Sequence, residues 1–327
     1  MATYKGIQGY TVQNLSTDPT ASEVEGQLWY NSTAGKFKIA VAGTGAWASG
    51  GTLNTARRAG MGGGVQSLAF VTGGSTAPAP TAISATETYN GTAWTETGHV
   101  LNNARRYGVG FGTTTAGAVA AGTGPSAATD FTETYNGSAW SETADLNQIR
   151  TQTMCAMGGT TTAGLVFGGN PGGLDVCEIW NGTSWTETAD LNAVRVASGG
   201  AGTSTAALCA TGSPSPFTVN TEKWNGTSWT EVNNVNQARQ GPASAGHTNT
   251  AAMIFGGETP STTVNTEKWD GTSWTEVGNM ANANYISAGV GTSSLALNIG
   301  GFPVASVGSK TEEWADPTYT NKTVTVS

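Results

Sequence analysis

The sequence predicts an all-β protein built as a ring of six four-stranded blades, and three observations predict it. The string "TEKWNGTSWTE" at 221–231 returns as "TEKWDGTSWTE" at 266–276, and in looser form at 86–96, 132–142 and 177–187. The tryptophan near its end, Trp94, Trp140, Trp185, Trp229 and Trp274, recurs at intervals of 46, 45, 44 and 45 residues. A second marker keeps the same beat: "LNTAR" ends at Arg57, "LNNAR" at Arg105, "LNQIR" at Arg150, "LNAVR" at Arg195 and "VNQAR" at Arg239. A sixth copy, "ANAN", has Asn284 where the arginine would stand. Two markers with one period define an internal repeat, and four short strands in roughly 40–50 residues is the spacing of a β-propeller blade.

Within a unit, the first strand follows the arginine. The second is apolar and runs into Gly-Gly, as in "LAFVTGG", "GLVFGG", "AAMIFGG" and "LALNIGG"; two units carry the degenerate forms "GAVAAGT" and "AALCATG". The third strand is "NTEKW" and the fourth "SWTEV". Asn-Gly between them is a hairpin signal, because both residues accept positive φ. A two-residue loop would set Trp224 against Thr227, whereas a four-residue loop would set Trp224 against Trp229. Either register puts Glu222, Trp224, Trp229 and Glu231 on one face, since cross-strand partners and period-two neighbours share a side. One sheet cannot hide a double-tryptophan face alone, but stacking on the next copy does so.

Six marker copies predict six blades. The last blade closes either with "TNKTVTVS" (320–327) as its outer strand or with the strand around Trp47 circling back. A seventh blade, made from residues 25–41 and "TEEW", is the alternative. Residues 1–50 lack the regular markers and form an N-terminal docking or closure segment, with the propeller over 51–327. "GQLWYNSTAGKFKIAV" within that segment alternates as a hairpin turning at Thr33-Ala34-Gly35.

Composition narrows the function. Only 11% of the 327 residues are charged and the net charge is −8, which disfavours a nucleic-acid groove that needs clustered Lys and Arg. Cys155, Cys177 and Cys209 form no CxxC pair and read as small buried hydrophobes. No leader-like segment and no run of 18 apolar residues occurs, so synthesis in a cytoplasm without membrane insertion is expected.

Five equivalent arginines could ring the axis as an anion site. The favoured reading pairs them with the repeated Glu87, Glu133, Glu178, Glu222 and Glu267 as structural bridges, because active sites are asymmetric and these residues are not. Asp270-Gly271-Thr272-Ser273-Trp274 places Asp beside Gly, which departs from the sialidase Asp-box. His99 and His247 fall in different units, too few for the imidazole cluster of a copper oxidase. No GxSxG, HExxH, phosphate loop or dinucleotide fingerprint occurs. The expectation is no enzyme activity, metal or cofactor. Recognition falls instead to the loops between second and third strands, where the sequence escapes the repeat and Pro and Ser accumulate. Pro78, Pro80, Pro125, Phe131, Pro214, Pro216, Phe217 and Pro260 are the candidate contact residues there. Phe131 and Phe217 are expected at a seam between blades, with filling of the central channel or partner anchoring as the alternatives.

The starting Arg, the Gly-Gly and the aromatic followed by Trp resemble the kelch repeat over roughly 51–314, with departures where Gly-Gly decays and Asn284 replaces Arg. The resemblance implies a closed ring and leaves function open. The Trp-Tyr-Asn hairpin at 29–31 is similar to one in bacteriophage tail-fibre proteins, and the Asn-Gly-Thr-Ser-Trp blades resemble kelch-like proteins of marine phages. Those resemblances imply a non-enzymatic virion protein, an appendage, fibre or decoration module meeting other virion proteins or a host receptor such as a glycan. Oligomers are compatible with that role. A carbohydrate-binding or degenerate glycan-hydrolase propeller and an intracellular bacterial scaffold are the alternatives.

Overall fold

The structure, a computed structural model, describes residues 12–76, 81–155, 158–213, 216–302 and 308–325. It divides into two compact units, one of Met1–Ala46 with Asp316–Ser327 and one of Trp47–Ala315. The expected division at residue 50 therefore shifts. The strand around Trp47 belongs with the repeats, and the C-terminal strand belongs with the N-terminal hairpin.

In the larger unit the repeats form six four-stranded sheets in succession, the blades of a β-propeller. Blade 1 is typical, with Met61–Val65 innermost, then Leu68–Thr72, Ala85–Tyr89 and Trp94–Val100 outermost. Blades 2 to 5 follow with outer strands beginning at Trp140, Trp185, Trp229 and Trp274. Blade 6 takes its first three strands, Ala288–Gly291, Leu295–Ile299 and Thr311–Ala315, from the end of the repeats. Its outer strand is Ala46–Ser49, from before the first repeat. Of the two closure routes the sequence allowed, the Trp47 strand closes the ring. The C-terminal strand Tyr319–Thr323 pairs with Lys36–Ala42 instead, and among the described residues no seventh blade forms from residues 25–41.

The hairpin between third and fourth strands has the four-residue register, with Trp224 opposite Trp229 and Glu222 opposite Glu231. Asn225 does not adopt positive φ; only Gly226 does, at +96°. Asn225 instead closes the turn with its side chain, Oδ1 accepting from the backbone N–H groups of Thr227 and Ser228 at 2.9 Å each. An Asx turn thus closes the four-residue loop, one of the two registers the sequence allowed.

Each blade hides its aromatic pair against a neighbour. Trp140 Nε1 of blade 2 donates to Thr86 Oγ1 of blade 1 at 2.9 Å, and Trp185 to Thr132 at 2.9 Å. Trp274 donates to Thr221, and Trp47 of blade 6 to Thr266 of blade 5, each at 3.0 Å. Trp94 of blade 1 then reaches Thr311 of blade 6 at 3.0 Å, which closes the circle. Trp47 also packs on Phe255 and Trp314, with ring centroids 4.8 and 5.8 Å away. The apolar residue opening each arginine marker (Leu53, Leu101, Leu146, Leu191, Val235, Met280) is buried in these seams. Toward the axis the inner strands meet backbone to backbone. A Cβ on Gly289 would lie 2.2 Å from the Ser244 carbonyl oxygen, and one on Gly110 2.6 Å from that of Gly62, so only glycine permits the approach.

The smaller unit is a four-stranded sheet. Leu28–Asn31 pairs antiparallel with Lys36–Ala42 in the predicted hairpin, Gln13–Leu15 adds parallel on one side, and Tyr319–Thr323 adds antiparallel on the other. Asp18 ties it together by accepting from Trp29 Nε1 at 3.2 Å, from Asn31 Nδ2 at 2.6 Å and from the Lys38 ammonium. These bonds hold the Asp18 carboxyl below its ordinary pKa, the lysine contact contributing most. Among the described residues no helix is long and apolar enough to cross a membrane.

Candidate interaction face

The four strands of a blade alternate in direction. The arginine-bearing link into each blade and the loop between its second and third strands therefore lie at the same end. Isolated bridges join them: Arg58 with Ser75, Arg106 with Thr123, Thr151 with Asn170, Val196 with Ser213 and Gln240 with Glu258. This end of the propeller carries the predicted arginines and the predicted contact loops together.

The arginines are not an open anion site. Arg57, Arg105, Arg150, Arg195 and Arg239 are buried, each paired with Glu87, Glu133, Glu178, Glu222 and Glu267 at 2.7, 2.5, 2.6, 3.1 and 2.6 Å. A third residue completes each clamp, and reading the arginine and glutamate alone missed it. Asn147 gives both its backbone N–H and its Nδ2–H to Glu178 Oε2 at 2.8 Å, and Nδ2 also reaches the Trp185 carbonyl at 3.1 Å. Asn54, Asn102, Asn192 and Asn236 do the same in their blades. The signal was in plain view as the invariant Asn of the arginine marker. In blade 6, Glu312 keeps the loop contacts, accepting from Ala281 N and from Asn282 N and Nδ2, while Asn284 turns to the Gly300 carbonyl. The clamp fastens each interblade link to the blade it enters.

Two residues beyond each arginine position a second ring forms on the axis. Ala59, Tyr107, Gln152, Ala197, Gly241 and Ile286 all adopt left-handed φ, between 50° and 61°. Each N–H donates to the carbonyl of the corresponding residue in the preceding blade, from Tyr107 N to Ala59 O at 3.0 Å through to Ile286 N to Gly241 O at 3.1 Å. Ala59 N completes the circuit on Ile286 O at 2.9 Å. The axial cavity these six residues line holds about 90 Å³. That is well below the ~300–1,000 Å³ of small-molecule clefts, so the axis is packed rather than receptive.

The loops are more open. Pro125, Pro216 and Pro260 are exposed, and Phe131 and Phe217 half-buried. Pro78, Pro80 and Pro214 lie outside the described residues. Among the described residues, the buried clusters at the seams include neither phenylalanine. Phe131 instead lines a cleft of about 410 Å³ in blade 2, between Asn102–Arg105 and the loop Gly124–Thr129.

The remaining titratable candidates are scattered. His99 Nδ1 meets the Tyr135 hydroxyl at 2.5 Å, and burial pushes the pKa of His247 down. Cys177 and Cys209 are buried free thiols; burial raises both, Cys209 to about 12. The side chain of Cys155 lies outside the described residues. Among the described residues no group of three or more His, Cys, Asp or Glu could hold a metal ion.

The class that the fold defines is a six-bladed β-propeller. No family model matches the chain, and no curated protein matches it. Among solved structures it is similar to that of YjhT, with a TM-score of 0.64 over 83% of this chain and 99% of that one, at 11% identity. Identity that low carries the fold and nothing finer.

Proposed function

We propose that this chain is a non-enzymatic structural or interaction protein of a bacteriophage particle, an appendage, tail-fibre or decoration module. It presents its loop rim to a host surface or to adjoining virion proteins. One observation carries the reading. The clamps and seams repeat from blade to blade as scaffold, while the loops at the same end differ in length and sequence, and Pro125, Pro216 and Pro260 stand exposed there. A fixed scaffold with variable loops is how recognition surfaces are built. Each buried arginine is committed to its own glutamate, a structural pairing repeated in five blades. The N-terminal unit docks on the particle through its hairpin sheet, where Leu28 and Phe37 are exposed and the sequence resembles tail-fibre hairpins. Mass spectrometry of purified virions tests the proposal. The chain is expected at stoichiometric abundance among the structural proteins; its absence from particles made by cells that express it would overturn the virion role.

A further inference from the structure

The smaller unit leaves one side of its sheet open. Cross-strand partners share a face, so the register sorts its side chains into two sets. One set includes Trp29, Asn31 and Lys38, which lie under the segment carrying Asp18; Trp29 is 2% exposed there. Asn321, on the same side, donates from Nδ2 to the Pro19 carbonyl at 3.0 Å. The other set pairs Tyr30 with Phe37 and Leu28 with Ile39. On this side Leu28 is 41% and Phe37 45% exposed. The rings of Tyr30 and Phe37 pack together with centroids 5.1 Å apart, and the exposed Val12 and Val324 extend the surface toward its two edges. Single surface hydrophobes are ordinary, whereas a contiguous apolar face marks a contact site.

Charge and area decide what covers this face. Lys322 pairs with Ile39 across the sheet, so its side chain stands on the open side, exposed. Among the described residues it makes no ion pair, and no carboxylate shares its side. Asp18 is bound to Lys38 and Glu25 bridges to Ala40, both on the covered side. A second copy of the chain would bring another Lys322 and no acceptor for it. It would also bring too little surface. Four strands spaced about 4.8 Å apart and about five residues long make a face of roughly 300 Å². Each partner in a stable interface gives about 800 Å². A two-fold pair can only offer the same patch twice. An unlike partner can reach past the margin of the sheet, and it can carry the carboxylate that Lys322 lacks.

We propose that the open face of this sheet seats an apolar surface of a different virion protein, packed on Leu28, Tyr30, Phe37 and Ile39, with a partner aspartate or glutamate meeting Lys322. Two sheets stacked in this way lie about 10 Å apart with their side chains interleaved, which takes the exposed rings out of water. This deepens the virion reading, on which it rests, by naming the side of the sheet that meets the particle and the chemistry it meets there.

The experiment replaces Phe37 of the full chain with the photo-crosslinking amino acid p-benzoylphenylalanine, in host cells infected by the phage that encodes it. Purified virions are irradiated and the crosslinked peptides are read by mass spectrometry. The expected result is a crosslink to one other virion protein, in a segment that is apolar and holds Asp or Glu. A chain that is present in virions but crosslinks only to its own copies, or to nothing, would overturn the proposal and leave the virion reading standing. A chain absent from virions would remove both. The charge is tested separately. Lys322 is exposed and pairs with nothing among the described residues, so its replacement costs the fold no contact. Lys322→Glu is expected to lower the amount of chain per virion about tenfold, and Lys322→Arg to leave it unchanged. An undiminished amount with Lys322→Glu would overturn the carboxylate contact. Sedimentation of the purified chain is expected to find a monomer; a dimer that Phe37→Lys dissolves would show that a second copy takes the face instead.

Discussion

Trp229 points its indole N–H at Cys177, where its five counterparts meet a threonine hydroxyl. Cys177 precedes Glu178 just as Thr86, Thr132, Thr221, Thr266 and Thr311 precede their glutamates. Sulfur is a weak acceptor, and Trp229 Nε1 is buried without a partner of ordinary hydrogen-bond geometry. The seam between blades 3 and 4 is therefore one hydrogen bond short.

Replacing Cys177 with threonine is expected to supply that bond. The gain is about 1 kcal/mol, or roughly a 2 °C rise in the unfolding midpoint for a unit of this size. Calorimetry of Cys177→Thr beside Cys177→Ser and Cys177→Val checks it. Valine, with the same branching and no hydroxyl, should show no such gain. Equal stability of the threonine and valine variants would mean that the hydrogen bond contributes nothing.

Removing a clamp arginine leaves a buried carboxylate. Arg150→Met should destabilise by about 3–5 kcal/mol, the usual cost of stranding one member of a buried pair. The low end is expected, since Glu178 would keep its two Asn147 donors much as Glu312 keeps its loop donors in blade 6. Adding Glu178→Gln should recover part of the loss. Urea midpoints of the two variants decide it, and a loss under about 1 kcal/mol would show the pair to be dispensable.

One turn is predicted to be acid-sensitive. Asp270 replaces the asparagine of its siblings, and its carboxylate accepts from the N–H groups of Ser273 at 2.7 Å and Thr272 at 2.8 Å. Those bonds lower its pKa below 3.8. A folded-state pKa below the unfolded one gives stability that is present above 3.8 and lost as pH falls through the folded value. The stability difference between wild type and Asp270→Asn should therefore shift in favour of the variant as pH falls from about 5 to about 2. Thermal midpoints across that range test it; a pH-independent difference would contradict the assignment.

The blades were legible in the sequence because each needs its own Trp, Glu and Arg, so the repeat prints itself as spacing. The axial ring was not. Its six positions hold Ala, Tyr, Gln, Ala, Gly and Ile, and only Gly241 advertises the left-handed backbone that the closed hydrogen-bond circuit imposes on all of them. Closure was hidden for a different reason. Both Ala46–Ser49 and Tyr319–Thr323 alternate as edge strands, and only Trp47, with Phe255, Trp314 and Thr266 around it, distinguishes the one that completes blade 6. The turn register also depended on the Asn225 side chain rather than on its backbone preference.

Closure of the propeller by the strand at Ala46–Ser49 underlies every assignment above, and the amide of Ala59 reports on it most directly. Its bond to the Ile286 carbonyl is the link of the axial ring that joins the last blade to the first. Native-state hydrogen exchange should find Ala59 as slow as the ring amides of Tyr107, Gln152, Ala197 and Gly241. An Ala59 amide exchanging at the rate of an open loop, while those four stay protected, would mean that the blades do not close.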